Sequence, residues 1–203
     1  MLSFKDHSSD SFLLDLFWGE ELFCTVVKKL FFKELRRLSS LLDFAEFKQR
    51  WRELEVKIAK QEVIKLLSKK GYLSDELRQK LALKHFSDES IEQAISFTQT
   101  SGYIDDEIEI QRLVKSSLRK GKGPKAVLHQ LKQKRIAAPL INEARTPLFE
   151  GEKSALEAWV QKKYGSIDFA DRVQRQKVIG QLIRRGFSPE LIFSTLNGHE
   201  DWH

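Results

Sequence analysis

Arg119–Leu131 reads RKGKGPKAVLHQL, and the fold turns on what its first glycine is for. Two other stretches share the layout: Lys69–Leu81, KKGYLSDELRQKL, and Arg184–Leu196, RRGFSPELIFSTL. With Gly71, Gly121 and Gly186 superposed, two bases precede each glycine, and apolar residues fall at plus six (Leu77, Val127, Ile192) and plus ten (Leu81, Leu131, Leu196). A helix whose last carbonyls lack partners favours cations in its final turn and a glycine just beyond it. Each stretch therefore reads as a helix ending at a basic corner, followed by a second short helix. The first two copies stay parallel further on, matching Phe86 with Ile136, Ile91 with Ile141 and Ala94 with Ala144. That continuation predicts a third helix per unit, in an array where each unit packs mainly on its neighbours.

Outward from these corners the helical period holds. In FAEFKQRWRELEVKI (Phe44–Ile58), residues Phe44, Phe47, Trp51, Leu54 and Ile58 lie on one stripe. Similar stripes occur at Ile91, Ala94 and Ile95, at Leu156, Trp159 and Val160, and at Val178, Leu182 and Ile183. Ser74, Ser87, Asp105 and Ser188 stand where a side-chain oxygen could cap a first turn, and Pro124 and Pro189 suit first helical positions. No strand-like alternation is read anywhere. The expected fold is all-α: tandem three-helix repeats in an elongated, curved array, at residues 61–102, 103–148 and 149–203, with a separate helical extension over 1–60.

The 203 residues carry 35 Lys and Arg against 29 Asp and Glu, a formal charge of +6. That balance suggests an anionic partner without choosing among nucleic acid, acidic protein and membrane surface. One cysteine, Cys24, excludes an internal disulfide and, within LFCTVV, reads as a small buried hydrophobe. Asp15, Glu20 and Glu21 interrupt the most apolar stretch, so no membrane span is expected. MLSFKDHSSD lacks the basic-then-apolar layout of a secretory signal, and a cytoplasmic protein is expected.

Catalytic motifs fare poorly. GKGPKA (Gly121–Ala126) fits a dinucleotide fingerprint in letters, but QRLVKSSLRK before it is amphipathic and helical where a buried strand is needed. A P-loop is excluded because Gly123 follows Lys122 where Ser or Thr is required. HEDWH (His199–His203) spells a zinc-protease motif, yet Asn197 and Gly198 end the helix that would have to carry it. His129 reads as a solvated residue or a phosphate contact. No catalytic, cofactor-binding or metal-binding residue is expected.

What remains is a stretch without acids. From Gln111 to Asn142 there is no Asp or Glu, but there are nine bases: Arg112, Lys115, Arg119, Lys120, Lys122, Lys125, Lys132, Lys134 and Arg135. Arg112, Lys115 and Arg119 share one helical face opposite Leu113, Val114 and Leu118. Lys122 and Lys125 flank the start of the next helix, whose free backbone N–H groups would also attract anions. A charge run is often plain solvated surface, and each basic-basic-Gly corner also has a sufficient cause in helix termination. The missing acids and the convergence of cations with a helix start favour binding to phosphates or to acidic protein surface. No Phe, Tyr or Trp falls between Ile104 and Phe149, so base stacking is not indicated.

Gly102–Ile136 (GYIDDEIEIQRLVKSSLRKGKGPKAVLHQLKQKRI), Leu182–Ile192 and Gly71–Leu81, in this order, resemble the RecX family of regulators of the RecA recombinase. Ile108 and Glu109 stand where the family usually shows Arg and Phe. The resemblance implies a curved array of three-helix repeats in the groove of the RecA–DNA filament, a monomer that inhibits recombinase activity without a cofactor. Its partners would be a RecA-type recombinase filament and single- and double-stranded DNA of any sequence, with no membrane contact. The bases above, with Arg184 and Arg185, would face that groove. Two rivals stay open: a sequence-independent nucleic-acid binder with no recombinase partner, and an interaction scaffold that recruits a protein through its aromatic amino-terminal helices.

Overall fold

The computed structural model describes residues 1–38, 43–134, 136 and 138–198. It falls into two compact units, Met1–Asp106 and Glu107–His203. The first unit opens with strands β1 (Leu2–Asp6), β2 (Leu13–Trp18) and β3 (Glu21–Val27), followed by helices α1 (Lys28–Leu38), α2 (Phe44–Leu67), α3 (Ser74–Ala82) and α4 (Asp88–Thr100). From α5 (Asp106–Arg119) onward come α6 (Pro124–Gln133), α7 (Ala138–Glu150), α8 (Glu152–Tyr164), α9 (Arg172–Arg184) and α10 (Pro189–Gly198). The helical class expected from the sequence is thus observed.

The amino-terminal expectation is corrected. Residues 2–27 form an antiparallel sheet in the order β1-β2-β3, not helices. Its signal is an alternation the helical reading passed over: Leu14 and Leu16 are buried on β2, with Leu2 on β1 and Val26 on β3 facing the same core. Gly19, with φ +66°, turns β2 into β3 in the handedness that primed two-residue hairpins need at their first position.

Nor is the segment separate. The sheet shares one hydrophobic core with α1 through α4. Phe31 is completely buried, its ring stacked on Trp51 at 5.2 Å and tilted against Phe86 at 5.6 Å, so one side chain ties α1 to α2 and to the α3–α4 corner. The sheet thereby completes the helical core instead of trailing from it.

Caps position the helix starts. Asp43 accepts from the Glu46 N–H (3.0 Å) at α2, and Ser87 from the Ser90 N–H (3.3 Å) at α4. Ser74 is itself the first residue of α3; its N–H donates to Asp106 (2.8 Å), while Glu76 reaches back to the Leu73 N–H (3.2 Å). Behind Ser87 lies a buried carboxylate on α2. Glu55 accepts from the Ser87 N–H (2.8 Å), the Ser87 hydroxyl (2.7 Å) and the Ser90 hydroxyl (2.9 Å). In the second unit Glu152, equally buried on α8, accepts from the Ser188 N–H (2.6 Å) at the start of α10. Glu55→Ala removes the shared acceptor of three donors and is expected to lower unfolding stability by about 2 kcal/mol, read as a shift in the urea midpoint at unchanged slope.

The same clamps align the corners differently from the sequence superposition. Before Ser87 and Ser188 stand Lys84-His85-Phe86 and Arg185-Gly186-Phe187. In both corners the aromatic N–H returns to a carbonyl five residues back (3.3 Å each), and His85 (φ +60°) and Gly186 (φ +90°) both take the left-handed conformation. Gly186 therefore matches His85, whereas Gly71 does not adopt positive φ. The RRG corner joins the last two helices of its unit, and reading it as a copy of the KKG corner put the third stretch one helix out of register.

Several carboxylates of the first unit titrate low. Burial pushes Glu62 up, but hydrogen bonds from Lys84 and Lys65 outweigh it and leave its carboxyl below the ordinary value. The Thr25 hydroxyl (2.7 Å), followed by His7, likewise holds Asp15 low against the effect of its burial, and Arg78 does so for Glu92. A depressed native carboxyl contributes stability that is complete above the unfolded-state pKa and lost as pH falls through the folded value. The urea midpoint is expected to be level from neutral pH to about pH 5 and to decline below it.

Candidate functional site

Helix α5 ends by necessity at Gly121. The Gly121 N–H returns to Leu118 O (2.9 Å) and the Lys122 N–H to Ser117 O (3.1 Å), a closure that places Gly121 at φ +67°. A second constraint acts on the same residue: a Cβ there would lie 2.1 Å from Cδ2 of Trp159 on α8. The chain thus lies flat on an indole ring, and only glycine fits.

The next turn meets the Gly186 corner directly. The Gly123 N–H donates to Arg185 O (2.8 Å) and the Lys125 N–H to Gly186 O (3.2 Å). A Cβ on Gly123 would come within 2.3 Å of the Gly186 carbonyl carbon, and one on Gly186 within 2.4 Å of the Ala126 nitrogen. In return, Nη1 of Arg185 donates to Lys120 O and Gly121 O, both at 3.1 Å, while its guanidinium carbon sits 4.1 Å from the Trp159 ring centroid. The RKG and RRG corners are thus one junction, fastened by four backbone-directed hydrogen bonds and one aromatic platform.

Two parts of the sequence reading change here. The start of α6 is not an open anion site: Lys125 N–H goes to Gly186 O, Ala126 N–H (3.1 Å) and Val127 N–H (3.2 Å) go to Gly123 O, and Pro124 has no N–H. Arg185, expected to face the groove, is half-buried and holds the junction together.

The other cations are placed as follows. Arg112, Lys115 and Arg119 are exposed on α5, opposite buried Ile110 and Val114, and Arg112 lies 3.6 Å from Glu109. Lys120, Lys125, Lys132 and Arg184 are exposed; half-buried Lys122 donates to Gln130 (2.8 Å). Among the described residues no carboxylate lies within ion-pair distance of Lys115, Arg119, Lys120, Lys122, Lys125, Lys132 or Arg184. Lys134 is half-buried with a partner of its own. Arg135 and His199–His203 lie outside the described residues.

The junction gathers Lys120, Lys122, Lys125 and Arg184 within a few residues of one backbone contact. Trp159 is the residue the sequence reading missed. Its spacing marked it as core, and nothing in the letters tells that two glycine corners meet on its ring. Among the described residues no group of His, Cys, Asp and Glu could hold a metal ion, and no helix is long and apolar enough to cross a membrane. Cys24 has its thiol pushed up to about 12, first by burial and then by Glu55 and Asp15, which keeps it protonated at neutral pH.

Short helices joined at basic corners, headed by a small sheet and bearing an acid-free cluster of cations, define a class: a helical-repeat protein with an electropositive junction. Comparison with known proteins makes that class particular. Residues 59–97 match the model of the first three-helix domain of RecX, and residues 150–196 that of the third. The chain is 32% identical over 147 residues to the regulatory protein RecX of Vibrio parahaemolyticus, covering 70% of this chain and 92% of that one. It is 31% identical over 143 residues to that of Vibrio campbellii, with the same coverage. The chain belongs to the RecX family of regulatory proteins. Among solved structures, a crystal structure of a regulatory protein RecX shares the fold with a TM-score of 0.58 at 18% identity, over 94% of this chain and 97% of the other. RecX from Lactobacillus salivarius does so with the same score and identity over 71% and 96%.

Proposed function

We propose that this protein regulates a RecA-type recombinase, mainly as an inhibitor, by laying its basic junction into the anionic groove of the recombinase–DNA filament. The observation that carries this reading is the fusion of two basic corners into one site whose exposed cations have no carboxylate partners among the described residues. A cation already engaged in an ion pair contributes little to a new anion, whereas an unpaired one releases counterions from the phosphate it meets. In this reading the chain acts as a cytoplasmic monomer with three-helix units at 61–102, 103–148 and 149–203. Lys115, Arg119, Lys120, Lys122, Lys125, Lys132 and Arg184 make the contacts, while Arg185 and Trp159 position them. Arg112, Lys134 and Arg135 belong to the same basic segment.

Bridging neighbouring recombinase subunits hinders the rearrangements that accompany subunit addition and nucleotide turnover, so the effect needs binding and no chemistry. The test is recombinase ATPase and strand exchange with the regulator well below the recombinase concentration. Inhibition at such ratios supports filament binding. DNA binding that is unchanged by recombinase, with no inhibition, would instead identify a nucleic-acid binder without a recombinase partner.

A further inference from the structure

The amino-terminal unit carries a second surface that the proposed function leaves unused. Between β3 and α2 runs a groove floored by buried Trp51 and Phe86, and one wall is three consecutive strand residues, Phe23, Cys24 and Thr25. A bulge at Phe23, between the pairs Leu16↔Cys24 and Phe17↔Leu22, breaks the alternation there, but Cys24 and Thr25 are regularly paired and belong to opposite faces, so both line one groove only where it follows the strand's edge. That edge is unpaired: β3 bonds to β2 alone, and among the described residues Glu21–Val27 make no backbone hydrogen bond to any other element. The bulge at Phe23 interrupts that edge, but from Cys24 to Val27 the strand pairs regularly with β2 and carries neither a charge nor Pro to blunt it.

The opposite wall supplies charge. Lys48 and Arg52 stand one turn apart on α2, both exposed, and among the described residues neither has a carboxylate within ion-pair distance. Buried Glu55 between the walls is 5% exposed and accepts from Ser87 and Ser90. At the corner end stand His85 and Glu89. His85 holds φ +60°, a conformation that costs a residue with a Cβ about 1 kcal/mol and that the matching corner gives to Gly186. Local strain of this kind persists where the side chain has a use.

We propose that this groove takes an extended peptide segment of a partner protein as a fourth strand on β3. Main-chain hydrogen bonds to the β3 edge supply affinity, and an acidic side chain of the peptide held by Lys48 and Arg52, away from Glu89, sets its direction. The surface acts independently of the basic junction, so its test does not involve DNA.

The probe is a labelled synthetic peptide of about six residues, the usual strand length, alternating Val with Glu; a second peptide carries Lys in place of Glu, and a third has the acidic sequence with alternate amides N-methylated. With the full chain, the acidic peptide is expected to bind and to shift amide resonances of residues 21–27. The lysine and N-methylated peptides are expected to bind at least about tenfold more weakly, as is the acidic peptide with a folded Lys48→Glu, Arg52→Glu variant. Equal binding of the N-methylated peptide, resonance shifts confined to α5 and α6, or no binding of the acidic peptide overturns the proposal. So does a dimer, by sedimentation, whose β3 edges pair with each other and resist the peptide, because the occupant is then a second copy.

Discussion

Reversing Lys120, Lys122 and Lys125 to glutamate is expected to lower affinity for DNA by about three orders of magnitude at low salt, and to flatten the slope of log affinity against log salt by about 3 for duplex DNA. Each phosphate contact releases its share of condensed counterions, so three lost contacts remove three shares, and the introduced carboxylates add repulsion. The fold should tolerate the change. Lys120 and Lys125 are exposed, the Lys122 side chain donates to Gln130, and where these lysines take part in the junction's hydrogen bonds they do so through their backbone. Salt titrations by fluorescence anisotropy, with circular dichroism as the control for folding, measure both effects. A variant that keeps the wild-type slope would show that these lysines meet no phosphate.

The second large effect is expected from one methyl group. Gly123 has an ordinary φ of −76°, so alanine there meets no conformational penalty of its own. The obstacle is the Gly186 carbonyl carbon, 2.3 Å from the new Cβ, and a backbone atom cannot rotate away. Gly123→Ala is therefore expected to cost about 3 kcal/mol and to separate the two corners, breaking the bonds from Gly123 to Arg185 and from Lys125 to Gly186. Because Arg184 is carried by one corner and Lys120 by the other, DNA affinity should fall although no charge has changed. Chemical denaturation reports the first loss and anisotropy the second; a loss of stability with full affinity retained would separate the junction from binding.

The helices were legible because their period is local. Phe47, Trp51 and Ile58 announce α2 by spacing alone, and Ser87 announces the start of α4. The sheet was legible in principle, through Leu14 and Leu16, but only with the period of two tested against LLDLFW. Those letters are apolar enough to pass as a buried helix when the alternation is not counted.

The junction was half visible. Its cations appear in the sequence as an acid-free run, and Gly121 was correctly placed at the end of a helix. What the letters do not carry is long-range contact. That Arg185 reaches back 65 positions to Lys120 O, and that the Gly186 carbonyl occupies the helix start where an anion was expected, depends on how the corner after α9 meets the corner before α6. The register slip at RRGFS has the same origin. Glu152 and Glu55 bind Ser188 and Ser87 from 36 and 32 residues away, and those bonds identify equivalent corners where the glycines mislead.

The action proposed for the fused basic junction is on a recombinase filament. Its most direct measurement is the steady-state ATPase rate of a RecA-type recombinase on single-stranded DNA, with the regulator at a small fraction of the recombinase concentration, comparing the natural chain with the Lys120→Glu, Lys122→Glu, Lys125→Glu variant. Strong inhibition by the natural chain and none by the folded variant is the predicted result; equal inhibition by both would contradict the account.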